Sequence, residues 1–233
     1  RSGWSVSLSS DGSVVAIGAP YNDGNGIASG HVRIYQNVNN TWTEVGSDID
    51  GETRISTISY DQSGSSVSLS SDGSVVAIGA PYNDDNGFGS GHVRVYKNVS
   101  GTWTQVGSDI DGETSFDRSG HSVSLSSDGS VVAISAYLND GNGTNSGHVR
   151  IYQNLSGTWT QVGSDINGEA AGDNSGTSVS LSSDGSVVAI GAPFNSGNGA
   201  DSGHVRIYKN VSGTWTQVGS DIDGEASLDR SGW

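Results

Sequence analysis

The sequence predicts an all-β fold: four tandem blades, each a four-stranded antiparallel sheet, stacked as a β-propeller array. The string Ser-Ser-Asp-Gly-Ser-Val-Val-Ala-Ile recurs with its Asp at Asp11, Asp72, Asp128 and Asp184, intervals of 61, 56 and 56 residues. Gly-His-Val (His31, His92, His148, His204) and a Trp series (Trp42, Trp103, Trp159, Trp215) keep the same intervals. The 233 residues include 36 Gly and are only 32% hydrophobic, yet the apolar residues recur at fixed places, which disorder does not require. One such sheet cannot bury its own faces, so neighbouring copies must stack. Radial stacking does this while leaving only short, protected edges.

Within the first copy, Ser5–Ser9 alternates Val6 and Leu8 with serines, the period-two pattern of a strand. Ser10-Asp11-Gly12 supplies the turn. Val14–Ala19 is a nearly unbroken apolar run, as expected of a strand covered on both faces. Tyr21–Gly30 is a Gly/Asn/Asp loop, and His31–Val38 a third strand with Val32 and Ile34 on one face and His31, Arg33 and Tyr35 on the other. Asn39-Asn40, replaced by Ser-Gly in later copies, turns the chain into a fourth strand predicted over Trp42–Ile49. The blades are expected at 1–52, 53–113, 114–169 and 170–225, with 226–233 starting a further repeat. Arg1-Ser2-Gly3-Trp4 recurs at Arg230-Ser231-Gly232-Trp233, so a longer array is expected, although four blades closing alone and two chains pairing into an eight-bladed ring also fit.

A formal net charge of −15 argues against nucleic acid, whose phosphates need Lys and Arg, and against anionic membranes. No apolar run approaches the ~20 residues of a membrane-spanning helix. There is no Cys, so disulfide and thiol chemistry are excluded.

Gly3-Trp4-Ser5-Val6-Ser7-Leu8, Val15-Ala16-Ile17-Gly18-Ala19-Pro20 and Gly30-His31-Val32-Arg33-Ile34-Tyr35 together resemble the FG-GAP repeat found in integrin α-subunits and microbial surface proteins. The resemblance implies a propeller with an adhesive role, in all four copies. Two features depart from it. Ser-Gly replaces Phe-Gly at Ser2, Ser63, Ser119 and Ser175, and Ser9-Ser10-Asp11-Gly12-Ser13 offers one carboxylate where an integrin-type Ca²⁺ loop would stand.

Antiparallel order places the second-to-third loop and the blade-to-blade connection on one face, where the copies diverge. Partner contacts are therefore expected at Trp4, Ile27, Ile55, Ile58, Tyr60, Ser65, Phe88, His121, Thr144, Thr177 and Asp201, with the five-residue insertion of the second connection among them. Asp23, Asn25, Asp48, Asp50 and Glu52 form hard-oxygen clusters on that face, a candidate Ca²⁺ site if the two loops meet. On the opposite face Asn39, Asn98, Asn154 and Asn210 head glycosylation sequons. Because the histidines repeat in every copy, packing is expected of them and no catalytic residue is assigned.

The function expected from these features is a non-enzymatic extracellular or cell-surface module, adhesive or structural, that binds protein or glycan and self-assembles. A carbohydrate-binding propeller with one shallow site per blade is the alternative, and a propeller hydrolase or lyase the third reading. A single polar pocket built from non-equivalent residues would favour the third.

Overall fold

The computed structural model describes residues 1–52 and 60–233. The first blade comprises β1 (Ser5–Leu8), β2 (Val14–Ala19), β3 (His31–Val38), β4 (Thr41–Glu44) and β5 (Ile49–Asp50). The second repeats this order as β6 (Ser66–Leu69), β7 (Val75–Ala80), β8 (His92–Val99), β9 (Thr102–Gln105) and β10 (Ile110–Asp111). The third contains β11 (Val123–Leu125), β12 (Val131–Ala136), β13 (His148–Leu155), β14 (Thr158–Gln161) and β15 (Ile166–Asn167). The fourth contains β16 (Ser178–Leu181), β17 (Val187–Ala192), β18 (His204–Val211), β19 (Thr214–Gln217) and β20 (Ile222–Asp223). Each blade is the antiparallel four-stranded sheet that the repeat predicts.

The predicted fourth strand is broken in every copy. Gly46 adopts φ 78°, and the chain bends through Ser47-Asp48 before Ile49 and Asp50 pair again with Val32 and His31. The third blade departs once more. Ser135 stands where the other blades have Gly18, Gly79 and Gly191, and its hydroxyl accepts the Ser122 N–H at 2.9 Å. β11 accordingly starts at Val123, one residue later than its counterparts.

Blades pack by a repeated scheme. Val14, Ala16, Val32, Ile34 and Ile49 of the first blade meet Val67, Leu69, Val76 and Ile78 of the second, with Tyr96 and Trp103 at the margin. The same positions build the second-to-third and third-to-fourth interfaces. Trp103, Trp159 and Trp215 each donate their indole N–H to a carbonyl of the preceding blade, Val45, Val106 and Val162, at 2.7, 2.8 and 2.7 Å. Trp159→Phe should therefore cost about 1 kcal/mol, measurable by urea unfolding, because Val106 loses its donor. The innermost strands β1, β6, β11 and β16 contact one another in succession around an axis. The array stays open, with outward faces of its first and fourth blades exposed, so four blades do not close alone.

The Ser-Asp-Gly turns on the invariant face are tied by the Asp carboxylates. Asp11 accepts the Ser13 N–H and the Ser9 and Ser13 hydroxyls, and Ser9 in turn accepts the Val14 N–H. The Ser13 N–H first, then the hydroxyls, hold the Asp11 carboxyl at about 2, and the Ser182 hydroxyl leads the same effect at Asp184, also about 2. Asp72 and Asp128 are lowered by the equivalent bonds. Folded values below the ordinary 3.8 mean that these turns contribute stability fully above about pH 4 and lose it as pH falls through about 2. Acid unfolding followed by circular dichroism should show a loss in that window, and Asp128→Asn should make it shallower.

Candidate functional site

The variable face carries two kinds of site. Backbone pairing fixes both, because the second-to-third loop of each blade is laced to the following connection: Gly30 bridges Ser63, Gly91 bridges Ser119, and Gly203 bridges Ser231. Near the axis these segments enclose a cleft of about 120 Å³ lined by Trp4, Tyr21, Gln62, Ser65, Pro81, Tyr82, Arg118, His121 and Tyr137. Trp4 meets Tyr21 edge-on, with ring centroids 5.7 Å apart. The Arg118 guanidinium lies 4.0 Å from the centroid of Tyr82, and the His121 ring stacks on Tyr137 at 4.2 Å. Burial pushes the His121 imidazole below its ordinary 6.5, so it is neutral at neutral pH and able to accept a proton. Gly89 makes room for Arg118, since a side chain there would run into the guanidinium.

Equivalent repeat positions carry different side chains in this cleft. Ser65, His121 and Thr177 occupy one repeat position, and Gln62, Arg118, Asn174 and Arg230 occupy another, all four of the latter with positive φ. Only the third copy places an imidazole and a guanidinium three residues apart.

The second kind of site recurs between blades at a larger radius. From the second blade on, each strand-heading His faces the Asp of the bend in its own blade and a Glu from the preceding blade, whereas His31 of the first blade is grouped with Asp48 and Asp50. His148 Nδ1 lies 3.8 Å from Asp165 and 3.9 Å from Glu113, and His204 Nδ1 lies 3.5 Å from Asp221 and 3.9 Å from Glu169. The second blade adds a carboxylate, so that Glu52, Asp85, His92 and Asp109 converge. His92 is 1% exposed and its Nδ1 makes no hydrogen bond, although Asp109 and Asp85 oxygens stand 3.5 and 3.8 Å away. Beside them Arg94, Arg150 and Arg206 reach Glu52, Glu113 and Glu169 at 3.7, 3.5 and 3.2 Å. Burial raises the Glu52 carboxyl, and burial lowers His148 to about 4. An unsatisfied buried imidazole nitrogen aimed into carboxylates is the donor arrangement that a divalent cation would satisfy.

The residues expected on the partner-binding face are distributed unevenly. Trp4, Ser65 and His121 meet in the cleft. Thr177 holds the equivalent place in the fourth blade, where its hydroxyl donates to the Asn174 carbonyl at 2.8 Å. Ile27, Thr144 and Asp201 sit on loop tips, and Phe88 packs on Phe116 with centroids 5.4 Å apart. Tyr60 is exposed, while Ile55 and Ile58 lie outside the described residues. Of the oxygen-rich set, Asp48 and Asp50 join His31, whereas Glu52 joins the second-blade cluster. Asp23 accepts the Ala28 N–H and the Asn25 amide donates to the Gly51 carbonyl, so the two loops meet through turn bonds. Among the sequons, the amide oxygens of Asn98, Asn154 and Asn210 accept turn N–H groups, the Asn154 amide nitrogen is buried, and Asn39 has φ 52°. Tyr21, Tyr82, Arg118 and Tyr137 were not singled out by sequence. Their signals are the divergence of the copies at Arg118, the aromatic that follows Ala-Pro at Tyr21 and Tyr82, and the replacement of that Pro by Tyr137 in the third copy.

The geometry defines a propeller with a polar axial cleft and repeated His–carboxylate clusters. The FG-GAP repeat model matches residues 57–96 and 108–152, parts of two copies. No curated protein sequence matches the chain. Among solved structures, the chain is similar to a candidate 6-phosphogluconolactonase from Bacteroides uniformis (16% identity, TM-score 0.61, 96% of this chain and 55% of that one). It is also similar to a periplasmic gluconolactonase of Pseudomonas aeruginosa (17%, 0.59, 96% and 57%) and to the hydrazine synthase of Kuenenia stuttgartiensis (12%, 0.58, 94% and 48%). The chain thus spans about half the length of the structures it matches.

These findings correct two expectations. The integrin-α-like adhesion family inferred from the motifs gives way to a propeller fold shared with two candidate 6-phosphogluconolactonases and a periplasmic gluconolactonase, because those are the structures on which the four blades superpose. The non-enzymatic adhesive or structural module is likewise overturned. The fold is shared with enzymes, and the chain groups His, Asp and Glu side chains closely enough to hold a metal ion, where packing alone had been expected of the histidines.

Proposed function

We propose that the chain belongs to a hydrolytic propeller acting on small, oxygen-rich cyclic esters of the sugar-lactone class, bound in the axial cleft. The observation that carries this reading is the pairing of a neutral His121 with Arg118 among aromatic faces, a pairing that the equivalent positions of the other copies do not repeat. Trp4, Tyr21 and Tyr82 offer flat surfaces to the C–H face of a sugar ring. His121 accepts the proton of a water that attacks the lactone carbonyl, and Arg118 stabilises the oxyanion. When the ring C–O bond breaks, His121 returns the proton to the leaving alkoxide, so the product is the open hydroxy acid. A net charge of −15 favours uncharged lactones over phosphorylated ones. The likeness to a periplasmic gluconolactonase supports both the substrate class and a location outside the cytoplasm, and an extracellular site agrees with it. Acid release from glucono-1,5-lactone in a pH-stat tests the reading. A rate above the spontaneous one that disappears in His121→Ala is expected, and no acceleration would overturn it.

The inter-blade clusters would bind a divalent cation as a staple joining adjacent blades through Glu of one and His of the next. Mixed imidazole and carboxylate donors suit Zn²⁺ or Mn²⁺ better than Ca²⁺, which takes oxygen alone. Zn²⁺ should raise the melting temperature by several degrees, with the gain removed by chelator and reduced in Glu113→Gln.

A carbohydrate-binding reading is favoured by a different observation. Grooves of about 230 and 240 Å³ recur between blades, one lined by Asp48, Asp50, Tyr96 and Trp103 and the other by Asp165, Asn167, Tyr208 and Trp215. Glycan-array binding that fails in Trp103→Ala would identify them as sugar sites.

A further inference from the structure

Among the described residues, two sheet faces of the array have no neighbour, one on the first blade and one on the fourth. On the first blade, Val6 and Leu8 are 66% and 59% exposed, whereas Val67 and Leu69, the same positions in the second blade, are 9% and 8% exposed. Trp42, at the other edge of the same sheet, borders a cavity of about 340 Å³ lined by Val15, Ile17, Arg33 and Tyr35. On the fourth blade, Ile222 is 54% exposed, against 5% for Ile110 and Ile166. Every internal interface joins a face of the first kind to a face of the second.

The polar contacts are unmatched in the same complementary way. Arg94, Arg150 and Arg206 each donate to a carbonyl of the preceding blade, Asp50, Asp111 and Asn167, at 3.0, 2.7 and 3.0 Å. Arg33 has no such carbonyl among the described residues, and the Asp223 carbonyl has no such arginine. The Ser10, Ser71 and Ser127 N–H groups donate to Ser71, Ser127 and Ser183 carbonyls, a ladder left with a carbonyl at Ser10 and an N–H at Ser183. A Cβ at Gly73, Gly129 or Gly185 would meet a valine of the adjoining blade, and one at Gly46, Gly107 or Gly163 the turn and Trp of the next, but Gly12 and Gly219 face open space.

We infer that a second copy of this chain docks here, its fourth blade against the first blade of its neighbour, so that two copies close one ring. The occupant follows from three repetitions of the same contact within one chain, and from the complementarity of the two faces left over, each carrying the half that the other lacks. The contact also completes a site. Glu52, Glu113 and Glu169 reach the His of the following blade, but among the described residues His31 is grouped with Asp48 and Asp50 alone. There His31 Nδ1 closes directly on Asp48 at 3.1 Å, against 3.5 to 3.8 Å for the corresponding pairs of the other blades. Glu225 stands at the position of those glutamates in the fourth blade, so the second copy would bring it to His31 and Arg33.

Light scattering on the 233-residue chain tests the contact. A mass twice that of the 23.8 kDa chain is expected at micromolar concentration. Trp42→Asp and Ile222→Asp, each damaging one face, should both give monomers with unchanged circular dichroism. An equimolar mixture should regain dimer, because each variant keeps the face that the other has lost. A monomeric parent chain, or a mixture that stays monomeric while both variants remain folded, would overturn the inference, and a ladder of larger masses would overturn ring closure. The shared site has its own readout, which rests on the metal reading above. Zn²⁺ bound per chain should fall from four in the dimer to three in Ile222→Asp. Equal binding would overturn the shared site, whereas no Zn²⁺ binding in either form would remove the metal reading and leave the mass result standing.

Discussion

Replacing His121 with alanine should lower lactone hydrolysis by about 10²- to 10⁴-fold, the range that a positioned general base contributes. The loss should appear in kcat with little change in KM, because the ring is held by Trp4, Tyr21 and Tyr82 rather than by the imidazole. Arg118→Ala should cost a comparable factor by removing charge stabilisation of the oxyanion, with Arg118→Lys recovering part of it. Gly89→Val should act like Arg118→Ala, since the new side chain occupies the place of the guanidinium. Thr177→Ala, at the equivalent position of the fourth blade, should leave the rate unchanged. Burial places the His121 titration below 6.5, so the rate should hold at mildly acidic pH and fall only as the imidazole becomes protonated. A pH–rate profile of kcat/KM checks this, and an inflection above 6.5 would exclude His121 as the base.

Ile134→Ala should destabilise the fold by about 2–5 kcal/mol, the cost of an apolar truncation that leaves a cavity. Ile134 is 1% exposed and packs with Val75, Ala77, Val93 and Val95 of the preceding blade. Ile17 holds the same position in the first blade but is only half-buried, on a face without a neighbour. Ile17→Ala should therefore cost under about 1 kcal/mol in the monomer. Denaturant unfolding of Ile17→Ala and Ile134→Ala in the monomeric Trp42→Asp background checks the contrast. Equal costs would mean that blade-to-blade burial does not set stability.

Much of the blade was legible because its signals are local. Alternation marked Ser5–Leu8, the apolar run marked Val14–Ala19, and His31–Val38 carried its two faces openly. The fourth strand was misread because Trp42–Ile49 contains Gly46-Ser47-Asp48, turn chemistry that alternation alone passes over. That bend matters for the site, since it aims Asp48, Asp109, Asp165 and Asp221 at the histidines. The four histidines were read as packing because each was compared only with its own copy, whereas His92, His148 and His204 also face a glutamate from the preceding one. Trp4, Ser65 and His121 were placed on the correct face by the divergence of the copies. Arg118, three residues before His121, shows the same divergence and was passed over.

The sequence by itself determined the repeat, the strands and the alternation that gives each blade two apolar faces, because these depend on side-chain period and turn chemistry within a few residues. Tertiary structure alone decided that the array stays open, that Glu52, Glu113 and Glu169 cross to the next blade, and that His121 and Arg118 share a cleft with aromatic rings from the first three copies. Those outcomes depend on the angle and distance between successive blades, which arise from packing across interfaces. No periodicity along the chain encodes them.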